Sequence, residues 1–292
     1  MGSGENSKRR QPRPEWLKVK LPGGESYNRL KAIVREQDLN TVCQDARCPN
    51  IGECWGKGTA TFMLLGDVCT RSCRFCSVKT GKPMQYDRNE PERIAEAIKR
   101  MGLQYAVITS VDRDDLDDGG AWIFSETIRR IRAVCPDTRT EVLIPDFRGD
   151  YEAVDTVVCA EPYVLGHNVE TVPRLYRTVR PGSRYRRSLD VLFQAKKSGP
   201  GLFTKSSIML GLGEDRDEIC DVLRDLRNAG VDIVTLGQYL QPARDNLTVK
   251  KFYTPEEFAW YRNYAQSLGF LSVASGPLVR SSYHAEENAI LS

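Results

Sequence analysis

From residue 59 onward, short apolar runs alternate with segments whose apolar residues recur every three to four positions. A continuous apolar run suits a strand covered on both faces, and the 3.6-residue recurrence suits a helix with one buried face. "TATFMLLG" (59–66), "YAVITSV" (105–111), "RTEVLIPD" (139–146), "PYVLGHNVE" (162–170), "FTKSSIMLGLG" (203–213) and "VDIVTLGQYL" (231–240) read as strands. Between them, "PERIAEAIKRMG" (91–102), "GGAWIFSETIRRIRAVC" (119–135), "DYEAVDTVVCAE" (150–161), "SLDVLFQAKKSG" (188–199) and "DRDEICDVLRDLRNAG" (215–230) read as helices. A last helix, "TPEEFAWYRNYAQSLGF" (254–270), has Thr254 as its N-cap and Pro255 at its first helical position.

About six strand–helix units of this kind imply a parallel sheet with right-handed crossovers, as an open doubly wound sheet or a barrel. In either architecture, function gathers in the loops after the carboxyl ends of the strands. Residues 1–58 precede the alternation and read as an N-terminal extension, 59–270 as the α/β body, and 271–292 as a C-terminal extension.

Composition narrows the setting. A chain of 292 residues buries enough apolar surface to need no disulfide staple. Its opening is polar and basic and its longest apolar runs are about eight residues, so neither a secretory signal nor a membrane span is expected. The expectation is a soluble cytoplasmic protein with reduced thiols. Net charge is +3, with +4 on the first twenty residues. A second basic concentration holds Arg174, Arg177, Arg180, Arg184, Arg186 and Arg187. Such clusters are either solvated helix faces or attract anionic partners. No RNA-binding or helix-turn-helix signature accompanies them, so nucleic acid is not the expected partner, and an acidic protein or anionic cofactor is.

The chemistry lies in the cysteines. "CTRSCRFC" directly follows the first strand with a C-x3-C-x2-C spacing (Cys69, Cys73, Cys76), and "CQDARCPNIGEC" upstream has C-x4-C-x5-C (Cys43, Cys48, Cys54). Disulfides within so short a triplet are strained and suit another compartment. Zinc wants four ligands per site, and only His167 and His284 are available to complete two triplets. A four-iron cluster takes one thiolate per iron, so a triplet leaves one iron open to bind something else. Iron–sulfur is the reading that the residues favour over these two.

A C-x3-C-x-aromatic-C loop after the first strand of a strand–helix repeat resembles the radical S-adenosylmethionine (SAM) superfamily. With the upstream triplet and the C-terminal "RSSYHA" (280–285), the chain resembles the lipoyl synthase family over about residues 30–285. "SVDRDDLDDGGA" (110–121), "GHNVET" (166–171) and "LGQYLQP" (236–242) share the family's look. The resemblance implies a partial (β/α)6 TIM-like barrel closed by the two extensions. It implies that Cys69, Cys73 and Cys76 hold a SAM-binding 4Fe-4S cluster with Phe75 near the adenine. Cys43, Cys48 and Cys54 would hold an auxiliary 4Fe-4S cluster, with Ser282, or less favourably Ser281, as its fourth ligand. The implied reaction inserts two sulfur atoms into a protein-bound octanoyl-lysine, with the auxiliary cluster as sulfur donor. Implied partners are octanoylated lipoyl domains of 2-oxoacid dehydrogenases and the glycine cleavage H protein, a ferredoxin or flavodoxin reductant, and an iron–sulfur carrier for cluster repair.

Further polar residues are expected to serve SAM. Thr109 and Ser110 end the second strand, Asn168 and Glu170 end the fourth, and Arg180 is placed to meet the SAM carboxylate. Strand ends are polar in any case, so an ordinary polar cap is the competing explanation. Gly211–Glu214 would let backbone approach SAM. Arg280 would position the serine ligand or bind substrate. "DRDDLDD" (112–118) lacks calcium-loop spacing and reads as a loop shaping the pocket. Cys135, Cys159 and Cys220 read as small buried side chains, and His167 and His284 as structural residues or proton relays.

Overall fold

The computed structural model describes residues 12–288, apart from 20, 21, 46, 47, 85 and 284. Seven parallel strands form one sheet in sequence order: β1 (Thr59–Leu64), β2 (Tyr105–Ser110), β3 (Arg139–Leu143), β4 (Val164–Gly166), β5 (Phe203–Leu210), β6 (Ile233–Gln238) and β7 (Ser272–Gly276). Sequential order without reversal is the barrel topology rather than the doubly wound one, which reverses at a switch point. A short strand, Asn40–Thr41, pairs antiparallel with β1 and occupies the sheet's outer position.

Six helices connect the strands: α1 (Glu90–Met101), α2 (Ala121–Val134), α3 (Tyr151–Val158), α4 (Tyr185–Ser198), α5 (Arg216–Asn228) and α6 (Pro255–Ser267). Their ends show why they start and stop where they do. Thr254 and Glu257 form a capping box at α6, and Asp215 and Glu218 form one at α5. Gly102 terminates α1 in the left-handed conformation. On α1 the buried stripe is Ile94, Ala95, Ile98 and Met101, which packs in one core with Phe62, Leu64 and Ile108 of the sheet. Burying one such side chain contributes about 1.5–3 kcal/mol, so the helices are held by this face rather than by propensity.

The interior at the amino ends of the strands is polar. Lys205 and Glu141 form an ion pair at 2.8 Å with both side chains buried, and Tyr105 donates to Glu141 at 2.7 Å. Beside them Ala285, the first residue of the short helix Ala285–Asn288, packs with Tyr105, Val107, Val164 and Ile233.

The apolar-run reading holds for β1, β2 and β6, which are buried throughout or nearly so. It overruns the carboxyl ends of three strands, among them β5, which ends at Leu210 instead of Gly213. β4 covers three residues of the expected nine, and β3 stops at Leu143 instead of Asp146. Past β4 the chain makes one isolated bridge, Glu170 to Ile208, where Glu170 takes a left-handed backbone at φ 65°. A seventh strand, β7, lies within the segment expected to be a C-terminal extension. Its "SVASG" is half exposed and carries little apolar signal.

Candidate functional site

Two left-handed residues, Leu65 (φ 68°) and Gly66 (φ 88°), turn the chain sharply out of β1. The turn is fixed from below, where the Leu65 N–H donates to the Glu90 carboxylate at 2.8 Å. Burial pushes Glu90 up to about 7. The chain then enters a small parallel ribbon, Val68–Cys69 with Lys79–Thr80, that frames the cysteine loop.

Within that loop the sulfurs meet backbone donors. Cys69 Sγ accepts from the N–H of Arg71 at 3.4 Å and of Asp112 at 3.3 Å, and Cys76 Sγ accepts from Val78 at 3.4 Å. Amides aimed at sulfur stabilise the thiolate form that iron requires. Without iron the thiols are neutral: burial pushes Cys69 to about 11 and Cys73 to about 12, the latter partly offset by Arg180. Iron binding would therefore release their protons.

One pocket at the carboxyl ends of the strands gathers Cys69, Cys73, Phe75, Cys76, Thr109, Ser110, Asn168, Glu170 and Arg180. All nine were expected from the sequence around a SAM-binding cluster. Thr109 donates to the Leu143 carbonyl at 2.9 Å, so its proton is committed to the fold. Asn168 donates to Glu170 at 3.0 Å, and Arg180 Nη1 donates to the Asn168 carbonyl at 2.7 Å. Burial raises Glu170, with Arg180 and Asn168 opposing it. Burial also works against the Arg180 charge, yet Tyr176, Glu170, Cys73 and Asp112 around it hold it above its ordinary range.

Two buried polar atoms in this pocket, Ser110 Oγ and Arg180 Nε, have no hydrogen-bond partner among the described residues. Such groups are costly unless something polar meets them. A cosubstrate with carboxylate, ammonium and hydroxyl groups supplies those partners, and three thiols in one wall supply a cluster. The donor set fits SAM with a three-thiolate cluster. The Gly211–Glu214 turn is not in this lining: a side chain on Gly211 would meet Gln238 Nε2 at 2.3 Å and the Lys251 carbonyl at 2.6 Å.

His167 also lines the pocket, with both ring nitrogens engaged. The Ile144 carbonyl, 2.9 Å from Nδ1, can only accept, so Nδ1 carries the proton and Nε2 accepts from the Ser188 hydroxyl at 2.9 Å. His284 lies outside the described residues, as does most of the basic N-terminus. Of the arginine-rich stretch, Arg180 is in the pocket and Arg187 reaches buried Asp146 at 3.3 Å, while Arg184 and Arg186 are exposed. Cys220 is buried as expected, but Cys159 is exposed because it falls just past the last turn of α3, beyond the buried stripe.

The second cysteine set lies apart from this pocket's lining. Cys43 sits on helix Val42–Asp45, Cys54 on helix Ile51–Gly56, and Cys48 between them donates its N–H to the Cys43 carbonyl at 3.0 Å. Burial pushes Cys54 up to about 12, with Cys48 and Cys43 adding to it, and raises Cys48 with Arg280 opposing. No three His, Cys, Asp or Glu side chains among the described residues converge as for a single metal ion. A cube, which takes each thiolate on a different iron, does not ask for that.

The segments before β1 and after β7 meet here. Arg280–Tyr283 closes a turn by the Tyr283 N–H to Arg280 carbonyl bond at 3.0 Å, with Ser281 and Ser282 at its centre. Tyr283 donates to Glu53 at 3.1 Å, one residue from Cys54, and Asn50 donates to the Leu278 carbonyl at 2.7 Å. The two cysteine segments touch directly: Ser77, next to Cys76, donates to the carbonyl of Asp45 at 3.0 Å.

Several contributors carry no local sequence signal. Asn246 donates to the carbonyls of Arg74 and Cys76 at 3.1 and 2.8 Å, clasping the cysteine loop from 170 residues away. Arg71, Asp112 and Asp146 link that loop to its neighbours. "DRDDLDD" held part of this signal, since a pocket-shaping loop is the role in which Asp112 is found.

Comparison with known proteins agrees with this geometry. The profile of the radical SAM superfamily matches residues 63–237, and that of the N-terminal domain of lipoyl synthase of the radical SAM family matches residues 3–48. The chain is 56% identical over 278 residues to the lipoyl synthase of Rubrobacter xylanophilus, covering 95% of this chain and 87% of that one. It is 56% identical to that of Flavobacterium johnsoniae (95% and 96% covered) and 53% identical to that of Koribacter versatilis (95% and 91%). Among solved structures, a maturase of the FeFe-hydrogenase superposes with a TM-score of 0.59 at 14% identity, covering 74% of this chain and 51% of that one. Methylornithine synthase superposes with a TM-score of 0.52 at 16% identity, covering 79% and 68%. At such identities these two likenesses speak for the fold alone.

Proposed function

The chain belongs to the lipoyl synthase family of the radical SAM superfamily, and on that premise we propose which residues perform its reaction. It is a radical SAM enzyme that inserts sulfur at carbons six and eight of a protein-bound octanoyl-lysine, using SAM and a 4Fe-4S cluster. We assign that cluster to Cys69, Cys73 and Cys76, and a second 4Fe-4S cluster to Cys43, Cys48, Cys54 and Ser282. When bound, these groups supply a 5′-deoxyadenosyl radical for hydrogen abstraction and sulfide for insertion, chemistry beyond any side chain.

The observation that carries the assignment is the convergence of nine expected side chains on one pocket containing two unsatisfied polar atoms. Arg180 Nε and Ser110 Oγ bind SAM's polar groups, Asn168 and Glu170 orient it, and Phe75 flanks the adenine. Phe75 also packs with Val179, Leu212 and Tyr239, which keep water from that side. The Ser282 assignment is supported by the turn that holds it beside Glu53 and by Arg280 acting on Cys48. Arg280 positions that turn. The Ser77–Asp45 bond supports a substrate chain lying between the two cysteine sets.

The finer setting follows. Octanoylated lipoyl domains and the H protein are the carriers, steered by exposed Arg184 and Arg186. A ferredoxin or flavodoxin supplies electrons, an iron–sulfur carrier restores the sulfur-donating cluster, and the cytoplasm is the compartment. Among the described residues no helix is long and apolar enough to cross a membrane. We divide the chain into residues 1–58, 59–270 and 271–292, a reading supported by Asn40–Thr41 and β7, the strands that the two outer segments lend to the sheet.

A single-turnover assay tests the assignment: anaerobically reconstituted protein with SAM, dithionite and an octanoyl-lysine peptide. About eight irons per chain and a lipoyl peptide are expected. SAM cleavage without sulfur insertion would move the substrate elsewhere, and absence of SAM cleavage would overturn the pocket assignment.

A further inference from the structure

We propose that Arg71 is a positioning residue that holds the Cys69–Cys76 loop in its ligating shape before any iron arrives. It lies between two of the assigned ligands, Cys69 and Cys73, and lines the SAM pocket, the place of a binding residue. Its hydrogen bonds say otherwise. Nε and Nη2 grip Asp114 in a fork at 2.7 Å each, Nη2 also donates to Asp146 at 2.6 Å, and Nη1 reaches Asp112 and Ser183 Oγ at 3.3 Å each. A guanidinium has five N–H donors, and four of them are spent in hydrogen bonds to Asp114, Asp146 and Ser183, with Asp112 an ion-pair partner of Nη1. With a side chain only 4% exposed and its charge met by three carboxylates, Arg71 is spent on the fold rather than on a ligand.

Its partners come from other loops. Asp112 and Asp114 follow β2, Asp146 follows β3, and Ser183 precedes α4. The strut therefore ties the cysteine loop to three neighbouring segments. Asp146 is itself rigidly aimed. It is fully buried, and the residues after it, Phe147 (φ 42°), Arg148 (φ 56°) and Gly149 (φ 87°), all take left-handed backbone. The Arg148 N–H returns to Asp146 Oδ1 at 3.0 Å, and Arg187 approaches Oδ2 at 3.3 Å. Two non-glycine residues in succession at positive φ persist only where the surroundings over-determine them. Here the strained turn points a carboxylate at Arg71.

The strut also acts on sulfur. The two amides that donate to Cys69 Sγ belong to Arg71 itself and to its partner Asp112. Fixing those two residues against each other fixes the donors at the sulfur, so the loop is shaped for iron without iron. Lysine cannot replace the fork, since a single ammonium has three donors from one point.

The test is hydrogen exchange on the iron-free protein, followed by EPR after anaerobic reconstitution and reduction, for wild type, R71K, D146N and D114N. The expected result is at least about ten-fold faster exchange across residues 69–76 in R71K and D146N, with helix Ile51–Gly56 unchanged. The EPR signal that shifts on SAM addition should weaken in R71K while any SAM-insensitive signal persists. Wild-type exchange at 69–76 with an undiminished SAM-responsive signal would overturn the strut. Should R71K or D146N fail to fold, D114N decides, because Asp114 is one-third exposed and its loss still removes the fork. The EPR arm rests on the cofactor assignment proposed above, whereas the exchange arm does not. A wild-type protein with no SAM-responsive signal overturns that assignment and leaves the exchange arm to judge Arg71.

Discussion

Asn50 and Leu278 are 228 positions apart and joined by a 2.7 Å hydrogen bond from the Asn50 amide to the Leu278 carbonyl. The bond fastens the C-terminal serine turn to the segment that carries Cys48 and Cys54. Asn50 is only 4% exposed, and Asn50→Ala leaves a partly buried carbonyl without its donor. We expect a loss of about 1–3 kcal/mol in denaturant unfolding, with faster hydrogen exchange confined to residues 278–283.

Gly237 serves the same junction by having no side chain. A Cβ there would stand 2.0 Å from the Val279 carbonyl oxygen, and backbone cannot yield that distance cheaply. Gly237→Ala should push the 277–283 turn off the end of β6. Iron content after reconstitution should fall by about half while SAM binding stays near wild type. Full iron loading in this variant would show that the turn is not needed for the second cluster.

Arg180→Lys keeps the charge but removes the Nε–H that faces the pocket without a partner. SAM affinity should drop about ten-fold or more, read by titration calorimetry of the reconstituted protein. Thermal stability should fall as well, because Nη1 no longer bonds the Asn168 carbonyl. Unchanged SAM affinity would remove Arg180 from the binding set.

His167 makes stability depend on pH. Burial lowers it from 6.5 to about 4, with Arg180 adding to the shift and Asp146 opposing. The unfolded chain therefore binds more protons between these values, so stability is complete above 6.5 and falls as pH drops toward 4. The loss should approach about 3 kcal/mol. His167→Gln should be less stable at neutral pH and show a flatter profile from 6.5 to 4, measured by urea unfolding across that range.

Cys73→Ala and Cys54→Ala should separate the two sets. Each is expected to retain about half the wild-type iron, but only Cys54→Ala should still cleave SAM. Loss of all iron from either variant would mean that the two sets do not load independently.

What the sequence determined by itself is what close neighbours along the chain encode. The spacing of Cys69, Cys73 and Cys76 and the period of each helix are set within a dozen residues, where covalent geometry leaves few alternatives. The place of the loop at a strand's carboxyl end followed, and with it the pocket, because parallel strands align such ends. The sequence overran β3, β4 and β5 and missed β7, since strand length there is decided by pairing partners rather than by the run of apolar residues.

Only the tertiary structure decided how the loops hold one another. Arg71 and Asp146 are 75 positions apart, Asn246 and Cys76 are 170 apart, and nothing local marks them as partners. Their contacts depend on the twist and register of strands between them, and on three consecutive left-handed residues aiming one carboxylate. Gly237 is the clearest case. Its requirement for no side chain exists only because Val279, much later in the chain, folds back onto it.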